Sequence, residues 1–449
     1  LRHVLLGLAV LGLSTSTIAD TVAVWAPETF SLDNGMDVSV LPDHRAPVVT
    51  HMVWYKVGAV DEAPGKSGIA HLFEHVMFKE TDDLAPGEFD STVSRNGGLL
   101  NAFTSWDYSA YFERVAKDRL ELVMELEAER MRDLIINDDP EGPFISERDV
   151  VKEERRQRVE NNPSAILFEK VMAELYKGHP YSIPVIGFMD EVSALTPQDG
   201  KDFYRSWYAP EHAILVVAGD VTAEDVRPLA EKTYGQRDPS GIDRPDRGWQ
   251  AVAPIAETVL VSHADPKVRQ EEWDRYYLGA SFQQGADLAY ALSVATDVLG
   301  GGQTSLRCQA LVEDQKIAIS ASAWAWASLH DQGPAGLSAS PAEGVSLDAL
   351  EAAFMQEVEA VLTEGLPEEA VIRSRNSLAA NAIYARDSQS GMANLYGQTL
   401  AIGGTPEDVL EYPDRIRAVT VEDANAALRQ VFGADTNYVE AHLLMPRAP

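Results

Sequence analysis

The chain has 449 residues, 45% of them hydrophobic and 24% charged, which makes it globular and long enough for two domains or more. Its formal net charge of −33 argues against nucleic acid as a partner. The same charge favours cationic peptides by steering, and it also serves solubility or a salty habitat. A single cysteine, Cys308, excludes an intrachain disulfide, and its apolar surroundings predict a buried, inert thiol.

In chain order, Arg2 and His3 precede an apolar run at 4–13, and Thr17-Ile18-Ala19 has the small residues of a cleavage site. Residues 1–20 are therefore expected to be a secretory signal, because the run is only about half a bilayer-spanning helix. A soluble, periplasmic or secreted protein with no membrane partner is the expectation.

A β-branched, apolar run at 48–60 predicts a strand. Gly65-Lys66-Ser67-Gly68 is a flexible lead-in to a helix, with Ser67 or Gly68 near its start. Ile69, Leu72, Phe73, Val76 and Met77 form a broad apolar stripe, so that helix is expected to be buried. The run from Ser146 to Arg156 predicts another helix, with Ser146 as N-cap and Asp149 in an acidic first turn. Thr196-Pro197-Gln198-Asp199 opens a helix before a strand at 213–218. The Pro/Gly/Asp-rich stretch 238–245 marks a join.

Beyond the join the plan repeats. A strand at 276–280 is followed by a helix at 288–299; Thr420-Val421-Glu422-Asp423 then opens a helix before a strand at 438–444. Tyr277 stands against Tyr55, and the offset of about 222 residues recurs, so a duplicated domain is the economical explanation. The expected division is a signal at 1–20, a first domain at 21–237, a linker at 238–250 and a second domain at 251–449. Pattern alone supports an α+β class.

The chemistry concentrates in His71-Leu72-Phe73-Glu74-His75. Residues four apart on a helix share a face, so both imidazoles can hold one metal ion with Glu74 at its side. Neutral imidazole suits zinc, and a third protein ligand would leave one coordination place open for water. The order His-x-x-Glu-His inverts the commoner His-Glu-x-x-His and is the inverzincin signature. The run 146–156 is the best source of the third ligand. Seven residues make almost two turns, so Glu147 and Glu154 share a face, whereas Glu153 points about 100° away. Helical Glu-Arg runs are commonly solvated faces laced with weak ion pairs, and it is the histidines that raise Glu154 above that reading.

His71-Leu72-Phe73-Glu74-His75 followed by Glu147-Arg148-x-x-Val151-x-x-Glu154 resembles the pitrilysin-type metallopeptidases, which include mitochondrial processing peptidase and insulin-degrading enzyme. The likeness extends over nearly the whole chain, through Asn101-Ala102-Phe103-Thr104-Ser105, His179-Pro180-Tyr181, Tyr208-Ala209-Pro210 to Gly219-Asp220, and Leu299-Gly300-Gly301-Gly302. It implies that His71, His75 and Glu154 are ligands of one zinc ion, that Glu74 is the general base, and that Glu147 orients a ligand. It also implies that Asn101, Ala102, Phe103 and Thr104 form a substrate-contacting edge strand. From spacing alone Asn101 reads equally as a turn residue after Asn96-Gly97-Gly98. The implied architecture is two homologous α/β-roll domains, each a mixed, largely antiparallel sheet with packed helices, forming a clamshell.

The second copy lacks the metal motif, carrying Ser293, Thr296 and Asp297 at the register of His71, Glu74 and His75. It also departs from the family pattern. Single-chain and homodimeric relatives carry an Arg and a Tyr seven residues apart that hold the substrate carbonyl; Val312 and Ile319 stand there in this chain. Neither can donate a side-chain hydrogen bond. The resemblance therefore implies a zinc-bearing endopeptidase subunit completed by a sister subunit with the Arg/Tyr pair. A homodimer is the alternative assembly, and a non-catalytic peptide-binding or assembly subunit the alternative function.

Overall fold

A computed structural model of the chain describes residues 25–242 and 252–446. The expected signal at 1–20 and residues 243–250 of the expected linker lie outside the described residues. The first sheet is built from β1 (Glu28–Ser31), β2 (Asp37–Pro42), β3 (Val48–Tyr55), β4 (Leu99–Thr104), β5 (Ser109–Ala116) and β6 (Ala213–Gly219). Their order is β1-β2-β6-β3-β5-β4, with β2 and β6 parallel and every other pairing antiparallel. The second sheet comprises β7 (Val259–Ala264), β8 (Glu272–Leu278), β9 (Ala318–Ala325), β10 (Pro334–Pro341) and β11 (Val439–Leu444), ordered β7-β11-β8-β10-β9. There β7 and β11 are parallel and the rest antiparallel. From β2 onward the two sheets match strand for strand. The duplication that is faint in sequence is explicit in topology, and the fold is two mixed α/β lobes, as expected.

Five helices belong to the first lobe and bear on the site: α1 (Ile69–Val76), α2 (Glu88–Arg95), α3 (Leu120–Arg132), α4 (Pro143–Arg155) and α5 (Pro163–Leu175). Strand residues alternate between faces. On β3 and β6, Val49, Val53, Tyr55, Leu215 and Val217 pack with Leu72 and Phe73 of α1 and Val123 and Met124 of α3. Their neighbours Met52, Trp54, Ile214, Val216 and Ala218 pack instead against Met392, Ala393 and Tyr396, on helix Gln389–Ala401 of the second lobe. The exchange is reciprocal. Val439, Ala441 and Leu443 of β11 pack against Leu167, Val171, Met172 and Leu175 of α5, a helix of the first lobe. Each lobe thus roofs the other's sheet, which is why β3 and β6 read as continuous apolar runs rather than alternating ones.

Several local boundaries differ from expectation. β3 stops at Tyr55 instead of running to Val60, because Gly58 passes against the backbone at Ser105 and Trp106. Ala59 and Val60 donate there, to Ser105 O at 3.1 Å and Trp106 O at 3.0 Å, and a 3₁₀ turn forms at Ala59–Asp61. α4 begins at Pro143 after Gly142, so Ser146 is inside the helix rather than its cap; the fixed φ of proline suits a first helical position. The second-lobe strand runs from Glu272 to Leu278 and the helix after it from Ala286 to Gly300. Thr196 and Thr420 do open helices, each in a reciprocal capping box with the aspartate three residues on. Cys308 is half-buried, at the start of a π-helical turn Cys308–Asp314. Among the described residues no helix is long and apolar enough to cross a membrane.

The tightest point of the exchange is Gly397, where an added Cβ would lie 2.0 Å from Trp54 Nε1. Gly397→Ala is expected to lower stability by about 1–3 kcal/mol through overpacking, read as a lower urea midpoint with unchanged slope.

Candidate metal centre

α1 starts at Gly68, whose φ of 84° is left-handed and whose added Cβ would meet Ile186 O at 2.7 Å. Glycine is thus required on two counts. It offers no side-chain cap, so capping comes from elsewhere: buried Glu62 accepts from Gly68 N at 3.0 Å and from Ala70 N at 2.9 Å. A carboxylate at a helix N-terminus is favoured by the dipole, although burial raises the Glu62 pKa well above its usual value. Behind the helix, Tyr111 Oη donates to Phe73 O at 3.1 Å and lies 2.9 Å from Tyr208 Oη. The apolar stripe and these bonds orient His71, Glu74 and His75 toward α4.

α4 is fixed by its arginines. Arg148 donates to Leu195 O at 2.8 Å. Buried Arg155 makes a two-pronged ion pair with Glu169 of α5, at 2.8 and 3.0 Å, and donates to Gly187 O at 2.6 Å. Gly187 lies against Gly68, since a Cβ on it would come 2.5 Å from Gly68 N. One arginine thereby links the carboxylate-bearing helix to the start of the histidine-bearing helix.

The two helices bring three metal-ligating side chains together. His71, His75 and Glu154 each offer a ligand atom, all within 4.8 Å of one another. Glu154 Oε2 is 3.3 Å from His75 Nε2 and 3.8 Å from His71 Nε2, while Glu74 Oε2 lies 3.9 Å from His71 Nε2. Glu147 stands outside this cage, 3.4 Å from His75 Nδ1, and is itself held by Lys79 Nζ at 2.7 Å. Arg158 pairs with the outer oxygen of Glu154 at 2.9 Å. Two imidazoles and one carboxylate, with a second carboxylate orienting one imidazole, form a donor set that fits a zinc ion. Among the described residues His71 has no such second partner; its Nδ1 is buried and unbonded there.

The electrostatics agree with a cation-binding cage. Burial pushes the His71 imidazole down to about 4, keeping it neutral and able to coordinate. For His75, burial is outweighed by the hydrogen bonds to Glu147 and Glu154, which raise it to about 9. The His75 hydrogen bond holds Glu154 below the usual carboxylate range. Burial moves Glu74 the other way, raising its pKa and so its basicity.

Asn101, Ala102, Phe103 and Thr104 all lie on β4, the outermost strand beside β5, so the turn reading of Asn101 is set aside by its strand position. Asn101 is exposed and Ala102 buried toward α1. Glu153 points to solvent and bonds Arg156 and Gln157. At the corresponding place in the second lobe the site is closed on itself. Ser293 and Thr296 donate to the carbonyls of Ala289 and Leu292, and Asp297 accepts from Ser374 at 2.5 Å. A second Glu/Glu/His cluster, Glu351, Glu440 and His442, already has its cation: Arg275 bonds Glu440 at 3.0 Å and Glu351 at 2.5 Å.

Sequence reasoning missed Glu62, Lys79 and Arg158. The last two had a legible signal, each standing four residues after a site residue, His75 and Glu154 respectively. Glu62 had none, because its cap is made across a loop.

Comparison with known proteins places these observations. The insulinase (peptidase family M16) profile matches residues 38–188, and the peptidase M16 inactive-domain profile matches 194–378. The zinc protease PqqE of Helicobacter pylori is 41% identical over 208 residues, 46% of each chain, so the matched part spans about half of that relative. An uncharacterized zinc protease of Mycobacterium leprae is 30% identical over 84% of this chain and 83% of its own. Among solved structures, a protease from H. pylori superposes with a TM-score of 0.87 at 28% identity, covering 94% of this chain and all of that one. The fold also matches the periplasmic protease PqqL of Escherichia coli, with a TM-score of 0.78 at 18% identity, covering 93% of this chain and 47% of PqqL.

The chain is expected to bind one zinc ion. Replacing His71 by Ala or Glu154 by Gln should abolish stoichiometric binding in a competition titration. Glu147→Gln should weaken binding by about 10–100-fold, the range for a group that orients a ligand.

Proposed function

Because the chain belongs to peptidase family M16, the insulinase family, we infer that it hydrolyses peptide bonds with His71, His75 and Glu154 holding zinc and Glu74 as general base. Family membership and the His/His/Glu cluster support a zinc metalloendopeptidase. The single observation that carries the residue roles is the position of Glu74. It is a half-buried carboxylate of raised basicity, 3.9 Å from His71 Nε2 at the edge of the cage.

A zinc ion bound there would polarise the substrate carbonyl and bring the pKa of a bound water toward neutrality. Glu74 takes the proton of the attacking water and returns it to the departing amine, an exchange suited to a group whose pKa lies closer to neutrality than that of a free glutamate. Glu147, itself anchored by Lys79, keeps the His75 ring aimed at the metal. Peptide lies along the free edge of β4 at Asn101–Thr104, where main-chain hydrogen bonds give affinity with little sequence demand.

The developing negative oxygen needs further donors, and this chain does not present them where relatives do. Val312 lies in the turn Cys308–Asp314, and Ile319 is exposed on β9. A second unit of the same fold, a sister subunit with the Arg/Tyr pair, would complete the site; in a homodimer of this chain, groups other than that pair would have to supply the donors. The match to 47% of PqqL, in which one chain is about twice this length, supports a two-unit enzyme. The basic and apolar residues at 2–13 support export to the periplasm or beyond.

Zinc-loaded chain should cleave quenched fluorescent peptides weakly alone and strongly once the second unit is added; full turnover by a demonstrated monomer would defeat the two-unit reading. Glu74→Gln should keep its zinc and lose about 10²–10⁴ in kcat. Unchanged turnover in that variant would remove Glu74 as the base.

A further inference from the structure

Beside the cage, between α1, α2 and β4, a pocket of about 330 Å³ opens to solvent. Phe78, Leu100 and Ala102 form its apolar side, and Lys79, Asp90 and Glu147 its charged side; Glu74 and His75 stand at the end nearest the metal ligands. Two of the three charged groups are spent on each other. Lys79 Nζ is 2.7 Å from Glu147 Oε1, and the other oxygen of Glu147 serves His75. Asp90 differs. It is half-buried in the first turn of α2, and among the described residues it has no hydrogen-bond or ion-pair partner. The pocket therefore offers an apolar wall and one uncompensated negative charge.

This arrangement has a chemical complement. Lysine and arginine carry an aliphatic stem that can lie on Phe78 and Leu100 and a cationic head that can reach a carboxylate. An acidic side chain would meet Asp90 with like charge, and a short polar one would leave Asp90 unpaired. Glu74, in the pocket wall, acts at the scissile bond, so the side chain that enters is that of a residue adjoining this bond. We propose that the pocket selects substrates with Lys or Arg next to the scissile bond, and that Asp90 is the residue that determines this preference. The inference rests on the peptidase reading of the same site, and it agrees with a chain whose net charge of −33 concentrates cationic peptides around it.

The test uses the zinc-loaded enzyme with its second unit and peptides identical except for Lys, Gln or Glu at each of the two residues flanking the cleaved bond, located by mass spectrometry. At one flanking position, kcat/KM for Lys should exceed that for Glu by about tenfold, attraction and repulsion at a part-exposed charge each contributing a few-fold. Asp90→Asn should shrink the Lys-to-Glu ratio to about the ratio at the other flanking position, and Asp90→Lys should invert it. Zinc content and melting temperature of both variants report folding. Cleavage with the same ratio in wild type and both variants overturns the subsite alone. Stoichiometric zinc without cleavage of any peptide overturns the peptidase reading, and the subsite with it. Variants that fail to fold leave the wild-type ratio to decide, since equal rates for Lys and Glu at both positions refute the preference.

Discussion

Holding two imidazoles and a carboxylate within 4.8 Å of one another, largely out of water, is the constraint on which the rest of this structure depends. Burial shifts the pKa values of such groups, down for His71 and up for Glu74, so their neighbours must hold them in place. The fold answers with rigidity. Tyr111 holds α1 through the Phe73 carbonyl, Glu62 caps it, and Arg155 spans from α4 to Gly187, which lies on Gly68 at the start of α1. A metal site needs its ligands placed before the ion arrives, and these bonds place them.

Rigidity of the first sheet is in turn a property of both lobes. Trp54, Met52 and Val216 would face water if helix Gln389–Ala401 did not cover them, and β11 would be bare without α5. The second lobe is thus a structural half of the lobe that carries the His/His/Glu cluster. At the position matching the first lobe's cluster, Ser293 and Thr296 bond back to their helix and Asp297 bonds Ser374. Hydroxyls satisfied within a helix make a tolerant core, whereas an empty His/His/Glu cage would be expensive to bury.

Of the terminal strands of the two sheets, β4 lies beside the metal-ligand cluster and pairs on its outer side with no strand among the described residues. β4 ends the first sheet with exposed Leu99 and Asn101. An open edge is a liability that most folds cover, and under the proposed function this one is where an extended peptide would add. The same strand contributes Leu100, Asn101 and Ala102 to the neighbouring pocket, whose other wall comes from α2, α4 and the end of α1.

Much of this was legible in the chain. The four-residue spacing of His71 and His75, and the seven-residue spacing that put Glu154 rather than Glu153 on the inward face, are local helical geometry and needed no tertiary information. The paired strand–helix plans of the two halves followed from hydrophobic pattern, as did the capping boxes at Thr196 and Thr420. What failed locally was decided by distant neighbours: β3 ends early because Gly58 meets Ser105 and Trp106. Glu62 capping α1, Arg155 tying α4 to Gly187, and each lobe roofing the other join residues far apart in sequence or belonging to different lobes. Periodicity records which face of an element is apolar; it does not record which element will cover that face. The sequence alone therefore determined the candidate ligand set and the kind of elements that carry it. Only the tertiary structure decided their separation, their burial and the unpaired position of Asp90 beside them, because distance, burial and pairing are properties of contacts that no local pattern encodes.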